Sequence, residues 1–184
     1  TLTKWPERDR KELALQLARF VPLQAIKGYS TLERGRAYAR AFELCLKVCE
    51  MEQLFQTLFM QWSFEMPRGK HRQGLELTTN LLALAQQTQT SDHLIMAHMA
   101  AGVSNLYLGE LAQARNHLEQ VLAAYEPQHH HALVIPTGQN LEVTNLSYLS
   151  WTLWILGYPD QALQRVDEAI ALARELDHPF SLGF

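Results

Sequence analysis

Residues 108–114 read LGELAQA, and residues 156–162 repeat the pattern as LGYPDQA. In both copies a glycine stands five residues before an alanine, and apolar residues at helical spacing follow that alanine. Glycine commonly ends a helix because it accepts the left-handed backbone conformation. Each copy therefore predicts a helix, a short turn at the glycine and a second helix that packs back on the first. Repetition of such a unit predicts a stacked helical array.

The size and charge of the chain narrow the classes of function. It has 184 residues, 47% of them hydrophobic, and a net charge of −3. This length suits one domain or an array of about four helical hairpins. The charge argues against direct nucleic-acid binding, which needs a concentrated basic face. No apolar run reaches the roughly 18 residues of a membrane span, and no secretory leader pattern opens the sequence. We therefore expect a cytoplasmic protein with neither a membrane nor a nucleic-acid partner.

Apolar periodicity and helix-breaking residues predict an all-α chain of eight helices and the start of a ninth. We expect Pro22 to kink or end the first helix, because proline lacks a backbone donor. Ser91 or Asp92 is expected to cap the fifth helix. The stretch 132–135 is the best candidate for a strand, but its period-two pattern is too short, and we interpret it as loop. The predicted helices span about 7–26, 32–49, 51–66, 70–88, 92–108, 110–125, 140–156 and 159–176, with the ninth beginning near 178.

The spacing of the repeated units is uneven. Gly74, Ala114 and Ala162 align as close-contact positions of successive second helices, and the two steps are 40 and 48 residues long. A minimal two-helix unit needs about 34 residues. The second step therefore contains an insertion of roughly 14 residues, which we place at 126–139. Long connections are often functional. We expect this one either to fold over a neighbouring groove or to cover the flank of the seventh predicted helix, with Leu133-Val134-Ile135 packed against the protein.

The unit around Gly109 resembles a tetratricopeptide repeat. The small, turn, small, large and terminal-proline positions of that family hold Gly102, Gly109, Ala114, Leu118 and Tyr125-Glu126-Pro127. His98 and Asn105 stand where the family usually has aromatic residues. The unit around Gly157 keeps Leu149, Gly157 and Ala162, with Ser150 and Leu153 where glycine and tyrosine are commoner. This resemblance implies a right-handed superhelix of stacked antiparallel helix pairs.

A narrower resemblance covers most of the chain. It is to helical regions found C-terminal to the nucleotide-binding ATPase module of large bacterial signalling proteins. Some of these proteins carry an adenylate or guanylate cyclase domain, and others are LuxR-type transcription activators. The stretches that carry it are 27–29, 38–45, 146–154 and 156–162, followed by Ala171, Arg174-Glu175-Leu176 and His178-Pro179-Phe180. The resemblance implies a regulatory array with no catalytic residue, and we interpret residues 1–184 as one domain within a longer multidomain protein.

Candidate chemical groups are sparse. Cys45 and Cys49 lie four residues apart on a predicted helix, but no second pair at zinc-type spacing follows, so we interpret both as core residues. The run 129–131 consists of three histidines and could bind a metal with Glu126. Adjacent side chains point in different directions, and a solvated loop is the favoured interpretation. We therefore expect no metal, no cofactor and no enzymatic activity.

The first helix of each pair in a tetratricopeptide array lines a concave groove. The corresponding positions here are rich in methionine and aromatic residues, which suit a helix or an apolar peptide. An alternative is that half of them simply pack against neighbouring helices. The candidate groove residues are Gln56, Phe59 and Ser63 on the third predicted helix, Met96, Met99, Val103 and Tyr107 on the fifth, and Thr144, Ser147, Trp151 and Trp154 on the seventh.

Three functions compete at this point. The leading hypothesis is a non-catalytic array that binds a protein, a peptide or another ligand and couples this signal to a linked ATPase or output domain of the same protein. The second is a structural spacer or self-association module, which predicts a homodimer. The third is a small-molecule sensor. It requires an enclosed pocket with polar groups among apolar ones near the fifth and seventh predicted helices, covered by 126–139.

Overall fold

The computed structural model describes residues 4–48, 50–130, 133, 137–177 and 179–182. The regular elements in these ranges are all helical, which confirms the all-α prediction. None of the described helices is both long and apolar enough to cross a membrane. The helices are α1 (Lys4–Ala18), α2 (Phe20–Lys27), α3 (Leu32–Val48), α4 (Met51–Glu65) with a 3-10 turn at Met66–Arg68, α5 (His71–Thr88), α6 (Ser91–Leu108), α7 (Leu111–Ala124), α8 (Pro127–His130), α9 (Leu141–Ile155), α10 (Pro159–Glu175) and α11 (Pro179–Leu182).

The first predicted helix is in fact two helices separated at Arg19. Pro22 lies in the first turn of α2, where a backbone N–H has no partner within the helix. The expected break is therefore confirmed, three residues upstream of the proline that causes it. The break at Arg19 separates α1 from α2.

Gly69, Gly109 and Gly157 end their helices with the same backbone turn. Their φ angles are 75°, 82° and 87°. In each turn the glycine N–H bonds to the carbonyl three residues upstream, and the next N–H bonds to the carbonyl four residues upstream of the glycine. This pair of bonds defines the Schellman motif, whose left-handed position favours glycine. The turns predicted from the repeated phrase are confirmed, and Gly69 provides a third copy.

The small residues five positions after these glycines lie at close helix contacts. Gly74, Ala114 and Ala162 are all buried. A Cβ atom on Gly102 of α6 would lie only 2.7 Å from the Leu118 side chain and 3.4 Å from the Ala114 carbonyl oxygen of α7. The backbones of α6 and α7 approach closely because this facing position carries no side chain.

The largest hydrophobic core runs through α4, α5 and α6 and includes Leu133 of the insertion. Packing of Leu133 is thus confirmed, whereas Val134 and Ile135 lie outside the described residues. A second core joins α1 to α3 and contains Cys45, as expected of a core residue. Cys49 lies outside the described residues. Phe20 of α2 packs with Met60 and Phe64 of α4 in a separate cluster, and α1 and α2 thus lie against the helices that form the site described next.

Candidate functional site

A cavity of about 980 Å³ lies between α1 and α2 on one side and α4 and α6 on the other. Its volume falls within the roughly 300–1,000 Å³ typical of small-molecule sites. Most of its wall is apolar. The apolar lining residues include Leu13, Leu17, Phe20 and Val21 from α1 and α2, Phe59, Met60 and Trp62 from α4, and Met96, Met99 and Val103 from α6.

The groove residues predicted on α4 and α6 meet in this cavity. Gln56, Phe59, Ser63, Met96, Met99, Val103 and Tyr107 all line it. The four candidates on α9 do not. Thr144 is buried and Ser147 is half-buried, whereas Trp151 and Trp154 are 47% and 68% exposed. The contribution of α9 to the cavity is Tyr148, whose ring Trp151 contacts edge-on at a centroid distance of 5.4 Å.

Sequence reasoning missed the wall that α1 and α2 provide. The repeat pattern assigns no groove position to these helices, because they precede the recognisable units. A signal was nevertheless present: Leu13, Leu17, Phe20 and Val21 form one apolar stripe, and all four line the cavity. An amphipathic stripe shows which face of a helix is covered, but not what covers it.

The end of the insertion covers part of the cavity and forms a partial roof, while the rest of the mouth is open. Thr137 and Gln139 contribute to its lining. Gly138, between them, has a φ of 74°, and a Cβ atom there would lie 2.8 Å from Cγ1 of Val21 on α2. The turn is held by the Thr137 hydroxyl, which contacts the carbonyl oxygens of Leu133 and Gln139. Of the two positions expected for the insertion, the described part takes the one over the groove.

A buried arginine, Arg34, lies outside the cavity lining and donates hydrogen bonds to residues that form it. Arg34 is fully buried, and its guanidinium donates to the Tyr29 carbonyl oxygen, to Oε1 of Gln24 at 2.9 Å and to Oγ of Ser63 at 3.1 Å. Its carbon Cζ lies 3.9 Å from the centroid of the Phe20 ring. Gln24, Tyr29, Ser63 and Phe20 all line the cavity. The arginine therefore orients several of the polar groups that the cavity presents.

The positive charge of Arg34 has no anionic partner within the described part of the chain. Its Nε also lacks a hydrogen-bond acceptor there. Desolvation lowers the pKa of Arg34 to about 10, so the group stays charged at neutral pH. A buried charge is usually paired, because its removal from water is costly. A cation without an ion-pair partner among the described residues therefore lies behind this part of the cavity wall.

Three tyrosines add hydroxyl groups to the lining: Tyr29, Tyr107 and Tyr148. The ring of Tyr107 stacks on that of His71 at 4.9 Å and meets the Tyr148 ring edge-on at 6.4 Å. Burial raises the pKa of Tyr29, and burial together with the neighbouring Tyr107 raises that of Tyr148. Both phenols are therefore neutral at physiological pH and able to donate hydrogen bonds.

Two further polar atoms at the cavity have no hydrogen-bond partner among the described residues. They are Oε1 of Gln53 and Nδ1 of His71, and both atoms are buried. Both residues line the cavity. A buried polar atom without a partner costs roughly 1–3 kcal/mol, so native proteins rarely leave one unexplained. Both atoms lie behind the cavity surface, so a bound molecule would reach them only if the Gln53 or His71 side chain turned.

The histidine run differs from its sequence interpretation. His130 belongs to α8 and is only 1% exposed, so the predicted solvated loop is wrong for this residue. Its Nε2 lies 3.0 Å from Oγ of Ser91. This contact also explains why the predicted cap is wrong: Ser91 is the first residue of α6, Thr90 is the N-cap, and the serine hydroxyl meets His130. His131 lies outside the described residues.

Comparison of the chain with protein-family models, with curated proteins and with solved structures finds no match in any of the three.

Proposed function

We propose that this chain is a non-catalytic, tetratricopeptide-like regulatory array whose roofed cavity binds one amphipathic small molecule with an anionic end. The cavity of about 980 Å³ is the observation that carries the proposal. It combines a largely apolar wall with a few convergent polar groups, which is typical of small-molecule sites. The proposal develops the sensor hypothesis and retains the regulatory role that the sequence resemblance implies.

The apolar part of the wall and the polar end near Arg34 together indicate the preferred ligand. The methionines, aromatic rings and aliphatic side chains of α4 and α6 favour a hydrocarbon or aromatic body. At one end of the wall, Oε1 of Gln24 and Oγ of Ser63 accept hydrogen bonds from Arg34, whose positive charge lies behind them. Electrostatic attraction is strong where water is excluded. An anionic group such as a carboxylate or sulfonate is therefore favoured at this end.

The roof covers part of the cavity mouth, which favours a small molecule over a long peptide in this cavity. A groove that binds a peptide must be open along its length, so that the chain can enter and leave. Here the close approach of Gly138 to Val21 joins the insertion to α2 across the concave side. In the proposed mechanism, ligand binding stabilises the contact between Gly138 and Val21, and a linked domain senses this change at α2.

A second candidate function concerns protein binding on a different surface. The side chains of Trp151, Trp154, Ile155 and Tyr158 are between 45% and 68% exposed. Exposed aromatic residues of this kind often mark protein contacts. A partner protein, a linked domain of the same protein or a second copy of the chain would suit this surface. The tryptophans predicted to bind a partner then do so outside the cavity.

Titration with the anionic fluorophore 1-anilinonaphthalene-8-sulfonate tests the cavity. Native protein should bind it at a single site with a saturable rise in fluorescence. Val103→Trp places a large ring in the cavity and should abolish the rise, with the thermal unfolding midpoint used to verify folding. Trp154→Ala serves as the matched control and should leave binding unchanged. A rise of equal size in the Val103→Trp variant would overturn the proposal.

A further inference from the structure

Two histidines and one aspartate meet where the insertion begins. Asp92 lies in the first turn of α6, and His129 and His130 lie on α8. Each residue offers one ligand atom, and these atoms all lie within 4.8 Å of one another. Oδ1 of Asp92 is 3.6 Å from Nε2 of His130 and 3.8 Å from Nε2 of His129.

These separations approach those of a metal coordination shell. Ligand atoms at the corners of a tetrahedron around zinc lie about 3.4 Å apart, given bonds of about 2.0–2.1 Å. The two measured distances exceed this by only a few tenths of an ångström. The separation between the two imidazole ligand atoms is bounded only by 4.8 Å, so ion binding requires His129, whose side chain is 65% exposed, to turn toward the other two ligands.

The oxygen Oδ1 of Asp92 provides an independent indication. It is buried, yet it has no hydrogen-bond partner in the described part of the chain. His130 does not supply one, because its Nε2 lies closer to Oγ of Ser91, at 3.0 Å. A hydrogen-bonded cluster of Asp92 and His130 would be expected to use this oxygen. A buried acceptor left open beside two imidazoles is instead what a cation would fill.

The other nitrogen of His130 is supported in the way that metal-binding histidines usually are. Its Nδ1 lies 3.1 Å from the Glu126 carbonyl oxygen and 2.8 Å from the Glu126 backbone nitrogen. Without metal, the Glu126 N–H donates to Nδ1 and the proton sits on Nε2, facing Ser91. With metal, Nδ1 carries the proton and donates to the carbonyl, which frees the Nε2 lone pair for coordination. In this second tautomer the ring keeps its contact with the carbonyl, but the Glu126 N–H gives up the hydrogen bond that it makes to Nδ1 in the metal-free form.

We propose that Asp92, His129 and His130 bind one divalent transition-metal ion of the zinc class, with water completing the coordination. Two imidazoles and one carboxylate suit zinc, nickel or cobalt, whereas magnesium and calcium prefer oxygen ligands throughout. Because α8 opens the insertion and α6 lines the cavity, the ion links the start of the insertion to the cavity wall. The metal proposal does not depend on the ligand proposal.

Calorimetric titration of the tag-free, EDTA-treated chain with zinc chloride tests the site. We expect one zinc ion to bind per chain and the thermal unfolding midpoint to rise. His129→Ala and Asp92→Asn each remove one ligand from a partly exposed position, so neither threatens folding. Each should weaken zinc binding by at least about tenfold, since loss of a mere supporting residue already has an effect of that size.

His117→Gln is the matched control, because it removes a half-buried histidine from α7, where His117 contacts His98. It should leave zinc affinity and stoichiometry unchanged. The proposal is overturned if zinc produces no heat and no change in the unfolding midpoint. It is equally overturned if His129→Ala and Asp92→Asn both bind zinc as tightly as the native chain.

Discussion

Gly138 packs against Val21 so closely that a Cβ atom on the glycine would lie 2.8 Å from Cγ1 of the valine. The contact joins the insertion, late in the chain, to α2 near its start. The contact thereby places the insertion over part of the concave surface, and the proposed ligand binding depends on it.

Gly138→Ala should weaken binding of the anionic fluorophore. The added methyl group collides with Val21, and the φ of 74° is unfavourable for alanine. We expect a loss of stability of about 1–3 kcal/mol and displacement of the roof. Gly109→Ala is a matched control, because its φ of 82° imposes the same backbone strain while a Cβ there meets nothing within 4 Å. Equal fluorophore affinity in the two variants would refute the role of the roof.

Arg34→Met should separate anionic from neutral ligands. The substitution removes the buried charge while preserving much of the side-chain length. We expect affinity for the anionic fluorophore to fall about tenfold, which corresponds to 1.4 kcal/mol, while the uncharged analogue N-phenyl-1-naphthylamine binds as before. Arg115→Met removes an arginine that pairs with Glu119 away from the cavity and should affect neither probe. An equal loss for both probes in Arg34→Met would indicate a general structural defect.

Ala114→Leu should destabilise the α6–α7 hairpin. Ala114 is fully buried where Gly102 allows the two backbones to approach. Overpacking at such a contact costs roughly 1–3 kcal/mol. Ala112→Leu makes the same change at an exposed position of α7 and should alter the free energy of unfolding by less than about 0.5 kcal/mol. Urea denaturation of both variants compares them directly, and similar midpoints would disprove the close-contact assignment.

The pair His98 and His117 should make stability fall in mild acid. Their Nδ1 atoms lie 2.9 Å apart, and burial lowers the pKa of both rings. The unfolded chain, with its histidine pKa near 6.5, therefore takes up protons that the folded chain rejects. The contribution of this pair to the free energy of unfolding is fully present above this pKa and is lost as the pH falls below it. His117→Gln should lose less free energy of unfolding than the native chain between pH 7.5 and 5.5, and an equal loss would contradict this assignment.

The parts of the fold that depend on local sequence were predictable. The turns at Gly109 and Gly157 follow from the left-handed conformation that glycine accepts. The groove positions of Met96 and Met99 were expected from the resemblance to tetratricopeptide repeats, and both residues line the cavity. The orientation of α9 was less predictable. Tyr148, rather than Trp151, faces the cavity, and neighbouring residues on an apolar helix offer no periodic signal to distinguish them.

Contacts between distant segments could not be predicted from the sequence. The burial of His130 depends on Ser91, 39 residues upstream. The approach of Gly138 to Val21 likewise depends on how the whole array curves, which small rotations between successive units determine. Periodicity defines the covered face of each helix, but the partner that covers it is a property of the tertiary structure.

The most direct test of the central claim is isothermal titration calorimetry of the native chain with dodecanoate, below its critical micelle concentration. The account predicts one saturable site per chain, lost in Val103→Trp and weakened in Arg34→Met. Binding of several dodecanoate molecules without saturation, or one-site binding unchanged in both variants, would contradict it.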